Sequence, residues 1–481
     1  MESRKVASNS IFLLSAKGVR LLISMVLAVV LARYLGASNF GSWMAASSLC
    51  ALMQVMIALG IDKIAIRECS IKLDQNPSYL GNALTLKLLL SLLGAGVLIA
   101  LVRFLHYPPL MTQLVFIALG VHVFSTLGDT FVIPFRSWEK MQYEAAVNVA
   151  KDLFLMFLIF LGLFLSLDVV GIAYIYLAAA VFYFLFSGVV AKTKFFPPRL
   201  GFDRKLALHL VTAGLPLGAA IFFNSHHDMI KIAIQRVLDA EAAGYYSVAA
   251  FTYQAWERTV LLSLMAALFP VISRLHASDR QTLGQAYRRM SKYLYIASLP
   301  WAVVCLLLPG KIVLLLFGAA YAPAAPVVMI LGPASILMFQ NYLLYNAMVA
   351  ARKEGLFALI MGGGAVLILL LTLILIRTPL GISGGAVALG AGQLFIWALF
   401  IYSLRSDYRV YPRRRDWLFP SLAGAFAAAE IWWIRGLELP FGVIVVSGCL
   451  TYLLGLIALG SFNASDRLFF KKIVFGKSNA S

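Results

Sequence analysis

The chain has 481 residues, 62% of them hydrophobic and only 13% charged, a balance that excludes a soluble protein of this size and defines a polytopic membrane protein. Its formal charge of +19 does not point to nucleic acid, because the cations lie in short runs between apolar segments rather than in a basic domain able to hold a duplex. The four cysteines, Cys50, Cys69, Cys305 and Cys449, are scattered without metal-ligand spacing and read as packed thiols.

The first apolar run, Ile11 to Ala32, is long enough to cross ~30 Å of hydrocarbon as one helix. It exceeds the roughly 7 to 15 residue core of a signal peptide, so it reads as a retained first span. Further runs of spanning length fall near 40–60, 82–103, 111–134, 146–166, 168–191, 207–230, 241–269, 290–308, 323–349, 355–376, 380–404, 416–434 and 439–461. The expected fold is an all-α integral membrane protein of about 14 transmembrane helices. An even count puts both termini on one side. With alternate loops and both tails counted together, about 28 of the 40 Lys and Arg residues fall on one face, including the run Arg413-Arg414-Arg415. The opposite loops carry Arg33, Arg103, Lys231, Arg236, Lys311, Arg377 and Arg435. Both ends are therefore expected in the cytoplasm, with Trp432 and Trp433 near the outer end of the thirteenth span and Trp417 near its inner end.

A motif recurs along the chain. Arg33-Tyr34-Leu35-Gly36-Ala37 with Gly41 is matched at Arg236-Val237-Leu238-Asp239-Ala240 with Gly244, so that Arg, Leu, Ala and Gly repeat at the same spacings. Each copy joins two apolar runs near the start of one half of the hydrophobic region, which is the mark of a transporter built from two repeated bundles. Close packing of a common helix turn on glycine is the plainer account. Pro197-Pro198 ends any continuous helix between the halves. The division expected is an N-terminal six-helix lobe at 1–200, a C-terminal six-helix lobe at 201–406, and two additional helices with a cytoplasmic tail at 407–481. Gly214-Leu215-Pro216-Leu217-Gly218 should kink the seventh span, and Gly362-Gly363-Gly364 marks the eleventh as either a hinge or a close-packing face.

Charges inside the spans are the candidate chemistry, because a cation deep in hydrocarbon costs roughly 2.5 kcal/mol or more without a cavity or partner. Lys17 and Arg20 share one face of the first span, and Ser24 extends it. Lys87, Lys151 and Arg258 bring the cations to five, against the carboxylates Asp129, Asp152 and Glu257, with Asp228 nearer a span end. Lys87 and Lys151 lie about five residues from their inner ends and are within reach of the interface by snorkelling. Arg20 is too deep for that. Arg258 is suited either to a ligand or to an ion pair with Asp129 or Asp152. Asn224, Asp228 and Lys231 form a stripe that suits a gate, an interbundle pair or a solvated helix end. A surplus of internal cations suits an anion that must cross, and arginine suits phosphate because its planar fork donates two hydrogen bonds at once. The carboxylates Asp129, Asp152, Glu257 and Asp228 are candidates for ion coupling or for ion pairs.

Enzymatic motifs are missing. Gly476-Lys477-Ser478 has Lys471 where a phosphate-binding loop needs glycine, and neither His-Glu-x-x-His nor Gly-x-Ser-x-Gly occurs. His226-His227 is only a dipeptide near a helix end, so no metal site and no cofactor is expected. No loop is long enough for a glycosyltransferase or polymerase domain, and transport remains.

The stretches Leu31-Ala32-Arg33-Tyr34-Leu35-Gly36-Ala37-Ser38-Asn39-Phe40-Gly41, Leu59-Gly60-Ile61-Asp62-Lys63 with Arg67-Glu68, and Gly214-Leu215-Pro216 with Asp228 carry a family resemblance. So do Ala243-Gly244-Tyr245-Tyr246-Ser247-Val248-Ala249 and Leu316-Phe317-Gly318 with Tyr321-Ala322-Pro323-Ala324-Ala325-Pro326. In this order the chain resembles the Wzx-type flippases of lipid-linked oligosaccharides, a polysaccharide transport branch of the superfamily that also holds multidrug extruders and lipid II flippases. The resemblance implies two pseudo-symmetric six-helix bundles around a central cavity, two peripheral helices, and alternating access in a bacterial inner membrane. It implies an undecaprenyl-diphosphate-linked oligosaccharide as cargo, for O-antigen, capsule or exopolysaccharide. Membrane lipid, a polysaccharide polymerase and a chain-length regulator are the partners it implies. By inference from depth and charge, the diphosphate contact falls on Arg20, then Lys17, Lys151 and Arg258, with Lys87. The alternatives are an ion-coupled exporter of drugs or metabolites from the same superfamily and a non-transporting scaffold in a glycan assembly complex.

Overall fold

The computed structural model describes residues 2–261, 264, 280–351, 353–405, 414–437 and 439–462, with the side chains of 2–17, 258, 280–283, 349, 350 and 354 outside that description. Helix α1 (Glu2–Ala58) carries the first two expected spans. They are divided at Gly36, whose φ of 71° and ψ of 170° leave the helical region and favour a residue without Cβ. The sequence stretch from Arg33 to Gly41 is thus a break inside one long helix rather than an open loop. Helices α2 (Ile61–Ile71), α3 (Asn76–Phe104), α4 (Pro109–Thr130) and α5 (Val132–Ser137) follow. Then come α6 (Met141–Phe164), α7 (Val169–Lys194), α8 (Arg204–Asn224), α9 (His226–Val237) and α10 (Ala240–Trp256). Beyond residue 280 lie α11 (Arg280–Leu307), α12 (Pro309–Phe317), α13 (Ala325–Ala350) and α14 (Glu354–Leu375), then α15 (Ile382–Leu404), α16 (Arg414–Ile434) and α17 (Phe441–Ala458).

Helices carry the architecture of the described residues because each satisfies its own backbone groups where water is lacking. Among the described residues, 12 helical stretches are long and apolar enough to cross a membrane. The first runs 54 residues from Gly18 to Ile71 and contains two of the expected spans, while α10, 17 residues long, stands where the eighth is expected. The expected fourteen therefore reconcile with the helices observed. The seventh does not run through as one helix: α8 contains Pro216, and the chain breaks at Ser225 before α9 resumes.

The chain divides into two compact units. One holds Met1–Phe251 with Leu316–Pro323 and Met361–Ala388, and the other holds Thr252–Leu315, Ala324–Ile360 and Leu389–Ser481. In the first, Ile61, Leu80, Ile133, Phe135, Val147 and Tyr183 are buried in one apolar core that ties α2 to α3, α5, α6 and α7. In the second, Tyr295, Leu299, Ala423, Ala427, Tyr452 and Leu456 join α11 to α16 and α17. Here Trp417 stacks on Tyr295 at 4.8 Å, whereas Trp432 and Trp433 stay exposed.

The two motif copies meet inside the first unit. A Cβ placed on Gly41 would fall on the carbonyl oxygen of Ala240 and the amide of Gly244, and one placed on Gly244 would fall on the carbonyl of Ala37. Each copy thus presents a glycine to the alanine carbonyl of the other, a backbone approach that any side chain would prevent. Around this joint, Arg33 donates from Nε to the carbonyl of Leu316 at 2.8 Å, and the Tyr321 hydroxyl donates to the carbonyl of Ala32 at 2.8 Å. At the other end of the second span, Gly60, with a φ of 72°, sits against α8, where its Cβ would lie 2.9 Å from the carbonyl oxygen of Gly214.

Candidate functional site

The intramembrane charges of α1, α3, α4 and α6 gather into one connected cluster in the first unit. Arg20, on α1, donates from Nε to Asp152 Oδ2 on α6 at 2.7 Å. Lys151 Nζ lies 3.6 Å from the second oxygen of Asp152 and stands 5.0 Å over the ring of Tyr183 on α7. The Tyr183 hydroxyl donates to Asp129 Oδ1 on α4 at 2.8 Å. Asp129 in turn lies within electrostatic range of Lys87 and Asp62.

Lys87 is not free to snorkel. It is fully buried, donating to both oxygens of Asp62 at 2.7 and 2.6 Å, to the carbonyl of Thr126 at 3.0 Å and to the hydroxyl of Thr130 at 3.0 Å. Desolvation demands an acceptor for each of the three N–H groups of a buried ammonium, and the Asp62 carboxylate, the Thr126 carbonyl and the Thr130 hydroxyl supply them, fastening α2 to α3 and α4. Asp62 is not among the expected site residues, since it reads from the sequence as part of an inner loop next to Lys63. The charge balance changes with it. Among the described residues, Arg20, Lys87 and Lys151 stand with Asp62, Asp129 and Asp152, and Asp62 adds one carboxylate to the number read from the sequence. The side chains of Lys17 and Arg258 lie outside the description.

The remaining candidates have other surroundings. Asp228 accepts from Ser48 on α1 at 2.8 Å and from Lys231 at 2.8 Å, so these two members of the stripe pack onto the second span, while Asn224 is exposed. Nearby, His122 shares a hydrogen bond of 2.6 Å with Gln54, and the Tyr246 hydroxyl lies 3.3 Å from His227. Glu144 takes both nitrogens of the Arg136 fork at 2.8 and 2.6 Å. In the second unit, Gln340 pairs with Ser291 on α11, and Asn341 donates to the backbone and side chain of Gln393 on α15. These amides tie helices together. Glu257 opens a short π-helical turn, Glu257–Leu261, and has partners of its own.

What the cluster can do follows from Arg20. Its side chain is 35% exposed, and with Nε committed to Asp152 its two terminal amino groups make no hydrogen bond among the described residues. A guanidinium so held offers a planar, two-pronged donor suited to a phosphate.

The chain is thus an all-α, multi-pass membrane protein with ionisable groups gathered between its helices. Residues 6–276, more than half of the chain, match the family described as polysaccharide biosynthesis protein, and the chain belongs to that family. No curated protein matches the chain by sequence. Among solved structures, it is similar to the lipid II flippase MurJ in an inward closed conformation, with a TM-score of 0.74 at 14% identity over 97% of this chain and 100% of that one. It is also similar to an inward-facing multidrug resistance MATE family transporter of the MOP superfamily, with a TM-score of 0.66 at 14% identity over 81% of this chain and 94% of that one. A third, the MATE multidrug transporter DinF-BH, gives 0.60 at 17% identity over 85% and 96%. Likeness at these identities establishes the fold.

Proposed function

We propose that this protein is a Wzx-type flippase that moves a polyprenyl-diphosphate-linked oligosaccharide across a bacterial inner membrane during assembly of a surface polysaccharide such as O-antigen, capsule or exopolysaccharide. Membership in the polysaccharide biosynthesis family and a fold shared with a lipid II flippase support a lipid-linked cargo. The observation that carries the assignment of the site is the part-exposed guanidinium of Arg20, oriented by Asp152 and flanked by Lys151. Arg20 and Lys151 take the diphosphate, joined by Lys17 and Arg258. Lys87 is assigned instead to the anchoring of Asp62. Both termini are cytoplasmic, and the halves 1–200 and 201–406 alternate access to a cavity while 407–481 lies at the periphery. The activity is transport without covalent chemistry, and a polymerase and a chain-length regulator act downstream of it.

The test is Arg20→Ala in cells. Surface polysaccharide is lost while the amount of protein in the membrane is unchanged; normal polysaccharide in that strain overturns the reading.

A second reading, an ion-coupled exporter of drugs or metabolites, draws on the shared fold with MATE transporters and on the carboxylates Asp62, Asp129 and Asp152 of the cluster. Drug resistance on overexpression with unaltered surface glycan would favour it.

A further inference from the structure

The ion pairing of Arg20 raises a physical difficulty that the geometry itself answers. A diphosphate carries at least two negative charges, yet Arg20 and Lys151 both already face a carboxylate. Asp152 is the shared one: Oδ2 takes Arg20 Nε at 2.7 Å and Oδ1 faces Lys151 Nζ at 3.6 Å. The two contacts differ in kind. The first is a hydrogen bond of normal length, and the second is too long for one, so one side of Asp152 is held and the other is loosely engaged. Lys151 has no compensating carboxylate beyond Asp152 within ion-pair distance among the described residues, and its other contact is the face of the Tyr183 ring. The Tyr183 hydroxyl is already committed to Asp129.

We propose that Asp152 is the displaceable counter-anion of this site. In the empty protein it fills the position between Arg20 and Lys151 that a phosphate oxygen takes on loading, and its return to the two cations helps to expel the cargo. The proposal rests on the diphosphate reading above and deepens it. Its reason is that a transporter must let go. Two bare cations at membrane depth would be costly to keep and would hold a diphosphate too firmly, whereas a resident carboxylate lowers both the cost and the affinity. Asp152 is thus a positioning residue with a second task. It aims the Arg20 fork through Nε and competes with the ligand for the same charge.

The experiment uses the full chain in lipid nanodiscs, with farnesyl diphosphate as the binding probe, and in proteoliposomes with undecaprenyl diphosphate as the flipped lipid. Asp152→Asn keeps the shape and an acceptor for Arg20 Nε but removes the charge. It is expected to bind the probe about tenfold more tightly and to flip more slowly, so that KM and kcat fall together. Asp152→Glu, which keeps the charge, retains affinity near that of the parent. Weaker or unchanged binding in Asp152→Asn, as for a carboxylate that only orients Arg20, overturns displacement. Asp152→Ser carries the same expectation should Asp152→Asn fold poorly. Failure of both to fold makes the pair a structural requirement and also overturns it. If the parent protein itself binds no farnesyl diphosphate, the diphosphate reading fails, and that result is distinct from the others.

Discussion

Gly41 and Gly244, equivalent positions in the two motif copies, abut so closely that neither has room for a Cβ: each faces the backbone of the other copy, at Ala240 and Ala37 respectively. Because the obstructing atoms are carbonyl oxygens and not flexible side-chain tips, a substituent cannot be accommodated by a rotamer change. The helices themselves must separate.

Gly41→Ala and Gly244→Ala are therefore each expected to destabilise by about 1–3 kcal/mol or more and to depress transport. Gly96→Ala, where nothing lies within 4 Å of the new methyl, is the control and gains up to about 1 kcal/mol from helix propensity. Thermal unfolding in detergent checks the three, and equal melting temperatures would contradict the contact.

Lys87→Met leaves Asp62 without its ammonium partner inside the first unit. Loss of one member of a buried pair costs about 3–5 kcal/mol, and the 23% exposure of Asp62 places this case near 3 kcal/mol. Adding Asp62→Leu should recover most of the loss, since two apolar groups replace two charges. A double-mutant cycle on unfolding temperature measures the coupling, and additive losses would argue against the pair.

Asp228→Ala isolates Lys231, which is buried and has Asp228 as its carboxylate. The expected loss is about 3 kcal/mol, against about 1 kcal/mol for Ser48→Ala, which removes only a neutral donor to the same oxygen. Comparison of the two variants by thermal unfolding checks the ranking.

Tyr321→Phe removes one hydroxyl from the carbonyl of Ala32 while retaining the ring beside Tyr245 and Phe317. A fall of about 1 kcal/mol in stability is expected, read as a lower unfolding temperature. Arg33→Met, by comparison, loses the bond to Leu316 at an exposed position and should cost less.

How much of this is legible in the chain depends on range. Spans such as Asn76–Phe104 and Met141–Phe164 declare themselves by local hydropathy, and the recurrence of Arg, Leu, Ala and Gly at equal spacings is visible without any knowledge of packing. That the two copies lie against each other is a relation across about 200 residues, which no local pattern encodes. The Lys87–Asp62 pair is hidden for a similar reason. It exists because the left-handed turn at Gly60 folds α2 back against α3, and a count by segments places Asp62 outside the membrane with Lys63. Tyr183 escapes notice because a count of charges passes over a neutral phenol, although it links Asp129 to Lys151.

The reciprocity of the joint at Gly41 and Gly244 makes the two positions one seam. Each copy supplies both the notch and the ridge that its counterpart requires, so a methyl at either glycine prises apart the same pair of backbones, and a second methyl at the other finds much of that damage already done.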